Sequence, residues 1–208
     1  MTSSLNPKKT ALLFFDMLNR YVKDKSTNQV LPQQEHIVRN AVQLLETARK
    51  HDMMVAYAYA NHRPDNRTSS KQITDTDVYM NPIPEGEPQR YKPGLFSGSW
   101  ETQVIEELKP QETDYLIPKY RWSALFQTYF DLALRTRGVD TIIISGLATE
   151  VGVASTAYAA RDMDYNVVMI EDACNALTPE NQIFFMKHVF PRMARVRTTA
   201  DVIRMINK

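Results

Sequence analysis

The chain has 208 residues, 43% of them apolar and 24% charged, and a formal net charge of +1. That length suits one α/β domain with a substantial core, and the near-neutral balance argues against a polyanion-binding surface. The single cysteine, Cys174, excludes an internal disulfide and suits a reducing, cytoplasmic setting.

The opening residues lack the apolar core of a signal peptide, and no apolar run approaches the ~18–20 residues of a membrane span. Neither export nor membrane association is expected. Thr10–Phe15 is almost wholly apolar and predicts a buried strand that ends at Asp16. Residues 19–28 read as loop. Gln34–His51 carries Ile37, Val38, Ala41, Leu44, Leu45 and Ala48 at helical spacing. Met54–Ala60 predicts a second strand.

Asn61–Ser99 is irregular, with Pro64, Pro82, Pro84, Pro88 and Pro93 beside Gly86, Gly94 and Gly98. It is either a cover over the strand ends or a surface excursion without a role. A short helix is expected over Ser99–Leu108, capped by Ser97 or Ser99. Asp114–Ile117 reads as a third strand, ended by Pro118 and Lys119, and Leu125–Thr136 as a helix closed by Gly138. Thr141–Ile144 is a β-branched run ended by Ser145-Gly146, with a helix from about Thr149 to Asp162. Asn166–Ile170 is a fifth strand. A helix over Glu180–Val189 stops before Pro191, Ala194–Arg197 is a sixth strand, and Thr199–Ile206 is a helix capped by Thr198 or Thr199. Strands alternating with helices predict a three-layer α/β/α fold around a six-stranded, mostly parallel sheet. With no linker or repeat, residues 1–208 read as one domain.

A parallel sheet puts three marked strand ends on one edge: Asp16, Lys119 and the turn Gly146–Gly152. Ligands bind at the carboxyl ends of strands in such sheets, and the N-terminus of a helix there presents backbone N–H groups and partial positive charge. An Asp beside a Lys in a dry cleft can move a proton to or from a substrate. The plain alternatives are an Asp that caps a turn and a Lys in solvent.

The segments LLFFDM at 12–17, PKYRWSALFQT at 118–128 and GLATEVGVASTAYAA at 146–160 resemble those of the isochorismatase-like hydrolases, from about residue 10 to the C-terminus. The resemblance implies a six-stranded parallel sheet between helices. It implies catalytic roles for Asp16 and Lys119 and a cis peptide at Leu147–Ala148. Substrate contacts are expected at Leu147, Ala148, Thr149 and Val151. It also implies a small-molecule substrate and a homodimer or homotetramer.

The cysteine amidohydrolases of that family read GxxTxxCVxxTA, with the cysteine as nucleophile. Here that position is Gly152, which excludes an acyl-enzyme there. Isochorismatase itself also has glycine at the position and hydrolyses a vinyl ether with the Asp as general acid. This chain departs from it at Ala148, where that enzyme has an aromatic residue, and at Glu150. Three readings stay open: a hydrolase without a covalent intermediate, a catalytically silent binder, and an amidohydrolase whose nucleophile was replaced by Gly152.

Cys174 reads as a buried structural thiol. His62 stands alone in its loop, which is poor ligation for a metal, so no metal and no cofactor are expected. Phe96, Trp100, Tyr120, Tyr21 and Trp122 either wall a pocket or pack elsewhere. Arg121 either meets a substrate carboxylate or forms a surface ion pair. The basic residues Lys187, Arg192, Arg195, Arg197 and Arg204 alternate with apolar ones and read as a solvated face, not a nucleic-acid surface.

Overall fold

Strand β1, Thr10–Phe15, is buried at every position, as an apolar strand flanked on both sides must be. A computed structural model describes residues 4–69, 75–76, 79–80 and 95–208. The other strands of the main sheet are β2 (Met54–Ala60), β3 (Tyr115–Lys119), β4 (Thr141–Leu147), β5 (Asn166–Asn175) and β6 (Arg195–Arg197). Their order is β3-β2-β1-β4-β5-β6, and every pairing is parallel. The order reverses between β1 and β4, the switch point at which open α/β sheets bind ligands.

Side-chain alternation along the strands makes two cores. Ala11, Leu13 and Phe15 of β1 face α2 (Phe130–Thr136) and α3 (Ala154–Asp162), through Phe130, Leu134 and Ala157. Leu12 and Phe14 face α1 (Glu35–Lys50), through Ala41 and Leu44. A short helix α4 (Pro179–Phe184) precedes β6. The last helix, α5 (Thr199–Ile206), buries Val202 and Met205 beside α1. Thr198 caps it: its hydroxyl accepts from the N–H of Asp201, whose carboxylate bonds back to the cap. The sheet, its parallel pairing and its helical layers agree with the sequence reading.

Several boundaries differ, each for a local reason. Strand β4 runs on through Ser145-Gly146 to Leu147, because the Ser145 hydroxyl donates to Ala173 O at 2.7 Å and keeps β5 alongside as far as Asn175. Gly146 has φ +135°, and a Cβ there would strike the backbone of Phe15, its partner in β1; only glycine fits. The helix expected from Leu125 begins at Phe130. Gln127 has φ +53°, and the Thr128 hydroxyl donates to Ala124 O and accepts from Phe130 N–H. Residues 19–28 contain a helical turn, Asn19–Val22.

Ser99–Leu108 is not one helix. It is two tight turns, Trp100–Thr102 and Glu106–Leu108, split where Val104 pairs with Leu18; Ser99 does not cap the first through its side chain. The helix expected from Thr149 starts as a wide, π-type turn over Thr149–Val153 before α3. A similar turn, Phe185–Val189, continues α4. Of the irregular segment, Pro82, Pro84, Gly86, Pro88, Pro93 and Gly94 lie outside the described residues.

Arg49 in the last turn of α1 grips Asp114, just before β3, through two bonds of 2.5 and 2.6 Å, and the Asp114 side chain is 3% exposed. Arg49→Ala strands a buried carboxylate. It is expected to cost about 3 kcal/mol in urea denaturation, and Arg49→Ala/Asp114→Ala less than Arg49→Ala alone. Equal losses would show that the pair is not what fixes α1 to β3.

Candidate active site

Three strand ends meet at the carboxyl edge of the sheet. The N–H of Asp16 donates to Ala58 O at 2.8 Å, which carries the β1–β2 ladder one residue past β1. Asp16 then takes φ +48°, a left-handed turn that Asp tolerates better than most residues and that lifts its carboxylate over the edge. One oxygen, Oδ1, accepts the N–H of Ala60 at 3.1 Å from the end of β2. The other, Oδ2, accepts from Lys119 Nζ at 2.7 Å from the end of β3. The ammonium also sits 4.5 Å from the centroid of the Phe15 ring.

Asp16 and Lys119 are 7% and 5% exposed, so neither charge is hydrated as a surface group would be. Burial raises the Asp16 carboxyl above the ordinary carboxylate range. The Lys119 ammonium and the Ala60 N–H pull the other way without cancelling it.

Beyond β4 the Leu147–Ala148 peptide is cis, and the chain turns into Thr149–Val153. The Gly152 carbonyl accepts the Thr156 hydroxyl at 2.8 Å, and that hydroxyl accepts from Ala124 N–H at 2.9 Å. Thr156 thereby ties the turn after β4 to the loop after β3.

A cavity of about 1000 Å³ opens here. Asp16, Lys119, Leu147, Ala148, Val151 and Gly152 line it, as do Tyr21, Tyr120, Arg121 and Trp122. Three expected contacts lie elsewhere. The Thr149 hydroxyl is buried and donates to Gln182 Oε1 at 2.7 Å, so it fastens the turn to α4. Phe96 pairs with His62 through the backbone, and the Trp100 indole N–H reaches Asn28 Oδ1 at 3.2 Å; neither lines the cavity. The amides of 149–152 are not all open to a ligand either, since Val151 N–H donates to Ala148 O at 3.1 Å.

His62, Gln34 and Asn175 also line the wall, the last two without a local signal in the sequence. His62 is half-buried, not a free surface group, and Nδ1 bonds Thr68 O at 3.1 Å. Burial lowers its pKa, with the Thr68 bond opposing, which favours the neutral ring. Gln34 and Asn175 reach the cavity from opposite parts of the chain and bond each other at 3.3 Å. The Tyr21 phenol is pushed up to about 12, by desolvation first and the nearby Asp16 charge second, so it stays protonated as a donor. Arg121 Nη1 donates to Thr68 O at 3.1 Å and Tyr120 O at 2.6 Å, which fixes its guanidinium at the wall.

Cys174 is buried in the sheet, with Sγ 3.5 Å from Ile144 O, and burial pushes its thiol up to about 12. It is no nucleophile in this state. Among the described residues no three His, Cys, Asp or Glu side chains converge as a metal site would require, and no helix is long and apolar enough to cross a membrane.

Residues 10–201 match the isochorismatase domain model. The chain is 30% identical over 205 residues to the uncharacterised isochorismatase family protein YwoC of Bacillus subtilis, covering 99% of this chain and 98% of that one. It is 28% identical to the ureidoacrylate amidohydrolase RutB of Rhizobium rhizogenes, over 85% of this chain and 74% of the relative. The structure of an isochorismatase family protein from Burkholderia thailandensis superposes with a TM-score of 0.82 at 28% identity, with each chain covered in full.

The folded state holds the Asp16 proton more tightly than the unfolded chain does. The stability this adds is full in acid and fades as pH rises through the folded-state value. Without the ammonium the carboxylate meets the whole burial cost. Lys119→Met is therefore expected to be tolerated at about pH 4 and to lose about 3 kcal/mol near neutrality. Urea midpoints measured across that range check this; a deficit that does not change with pH contradicts it.

Proposed function

The chain belongs to the isochorismatase family, and from that premise we propose that it is a small-molecule hydrolase that works without a covalent enzyme intermediate. The observation that carries this reading is the buried Asp16–Lys119 pair on the wall of a cavity that also contains Gly152. A proton donor and a charge partner are in place. The turn after β4 offers no side chain at 152 to attack a substrate.

Asp16 serves as general acid and then as base. Its raised pKa keeps a proton available, and Lys119 steadies the carboxylate once that proton has left. A vinyl ether or a related non-amide bond fits best. The carboxyl protonates the vinyl carbon, water adds to the resulting oxocarbenium ion, and Asp16 recovers the proton from that water. The hemiketal then releases an alcohol and a ketone. Arg121, Tyr120 and Trp122 would hold a flat or cyclic substrate, with the guanidinium on a carboxylate. No cofactor enters the scheme.

RutB is named an amidohydrolase. An amide is the harder bond for this site, because its cleavage usually calls on an activated nucleophile. We also take the protein to be a homodimer or homotetramer. Exposed apolar side chains such as Phe126, Leu132, Leu177 and Phe184 support that reading.

Asp16→Asn keeps the shape of the site and removes its proton. Against a panel of vinyl ethers, esters and small amides, it is expected to cut turnover of the substrate that wild type accepts by about 10²–10⁴-fold. Unchanged turnover rejects the mechanism. A ligand that raises the melting temperature while nothing on the panel turns over favours a silent binding protein.

A further inference from the structure

The space beside Gly152 is not empty. A Cβ built on Gly152 would lie closer than 3.0 Å to both Cε1 and Cζ of Phe15, and 3.1 Å from the carbonyl oxygen of Trp122. The Phe15 ring is 1% exposed, on the last residue of a strand paired on both sides. Lys119 Nζ rests over one of its faces. From these contacts we propose that Phe15 is a steric plug that closes position 152 to any side chain. The chain thus lacks a nucleophile there through two residues acting together, Phe15 and Gly152.

This inference rests on the non-covalent reading above and deepens it. Gly152 alone would describe a site that one substitution could refill. With the ring in place, refilling needs room made at residue 15 as well. Swinging the ring aside would remove the surface on which the ammonium lies. On another side the added Cβ meets a backbone atom, Trp122 O, at 3.1 Å.

The plug makes a prediction opposite in sign to helix propensity. Gly→Ala within a helical segment ordinarily stabilises. Here the added methyl has to enter the Phe15 ring, so Gly152→Ala is expected to lower the melting temperature. Adding Phe15→Val to it is expected to lose less than the two single losses combined.

Chemistry gives a second measurement. Gly152→Cys and Phe15→Val/Gly152→Cys are alkylated with iodoacetamide across a pH series, and the modified peptide is read by mass. Cys174 stays silent in the folded protein because it is buried. The introduced thiol is expected to react at least about tenfold faster in the double variant.

A Gly152→Ala protein more stable than wild type overturns the plug. So does a Gly152→Cys protein that is as stable as wild type and alkylates as fast as the double variant. Either result leaves the mechanism standing if Asp16→Asn still abolishes turnover. Retained turnover in Asp16→Asn removes the mechanism whatever the alkylation shows.

Discussion

The hydrogen-bonded pair of Lys119 and Asp16, 2.7 Å apart and almost without solvent, is what the rest of this molecule is arranged to hold. Placing two charges in such surroundings costs several kcal/mol per ion, and their attraction rarely returns much more than that. Well-packed apolar residues would serve stability as well. Under the proposed function the pair is a chemical device that the fold accommodates. Its geometry depends on three strands ending at matched heights: β1 supplies the carboxylate, β2 an N–H to its second oxygen, and β3 the ammonium.

The fourth strand supplies the other half of the site. It lies on the far side of β1, so the crevice forms where the strand order reverses. Glycine at 146 lets β4 approach the backbone of Phe15, and glycine at 152 lets the turn settle against the ring of the same residue. Phe15 therefore touches both glycines, and Lys119 as well. The sheet edge carries an acid and an amine, Asp16 and Lys119. At the position where its resemblance to the cysteine amidohydrolases leads one to look for sulfur, this chain sets Gly152 against the Phe15 ring.

The sheet was legible because its strands are short apolar runs separated by amphipathic or small-residue helices. β1 and β2 begin and end where their composition changes. Boundaries were lost where a polar group bonds in a way no local pattern reveals. Ser145-Gly146 has the composition of a turn, yet it lies in a strand, because its hydroxyl meets Ala173 O across the sheet. Thr128 ends a helix early by turning its hydroxyl on the backbone.

Within the site, Asp16 and Lys119 stood out by their place at strand ends, and Gly152 by its oddness in a helical stretch. The Thr149 hydroxyl turns to Gln182 beside the turn, a contact that nothing local in the sequence announces. Phe96 pairs with His62 through its backbone, and the Trp100 indole N–H turns to Asn28, contacts that no local pattern announces. Gln34 and Asn175 come together only through the fold. Phe15 had the look of core, and it is core; its second role depends on the residue that faces it.

The account turns on burial outweighing the ion pair at Asp16. The direct measurement is the ¹³C titration of its side-chain carboxyl by NMR, assigned by the signal that Asp16→Asn removes. The account predicts a midpoint above the range of an ordinary aspartate, raised further in Lys119→Met. A midpoint at or below that range would mean that the ammonium wins, that the carboxylate carries no proton to give, and that the acid chemistry assigned to this site is wrong.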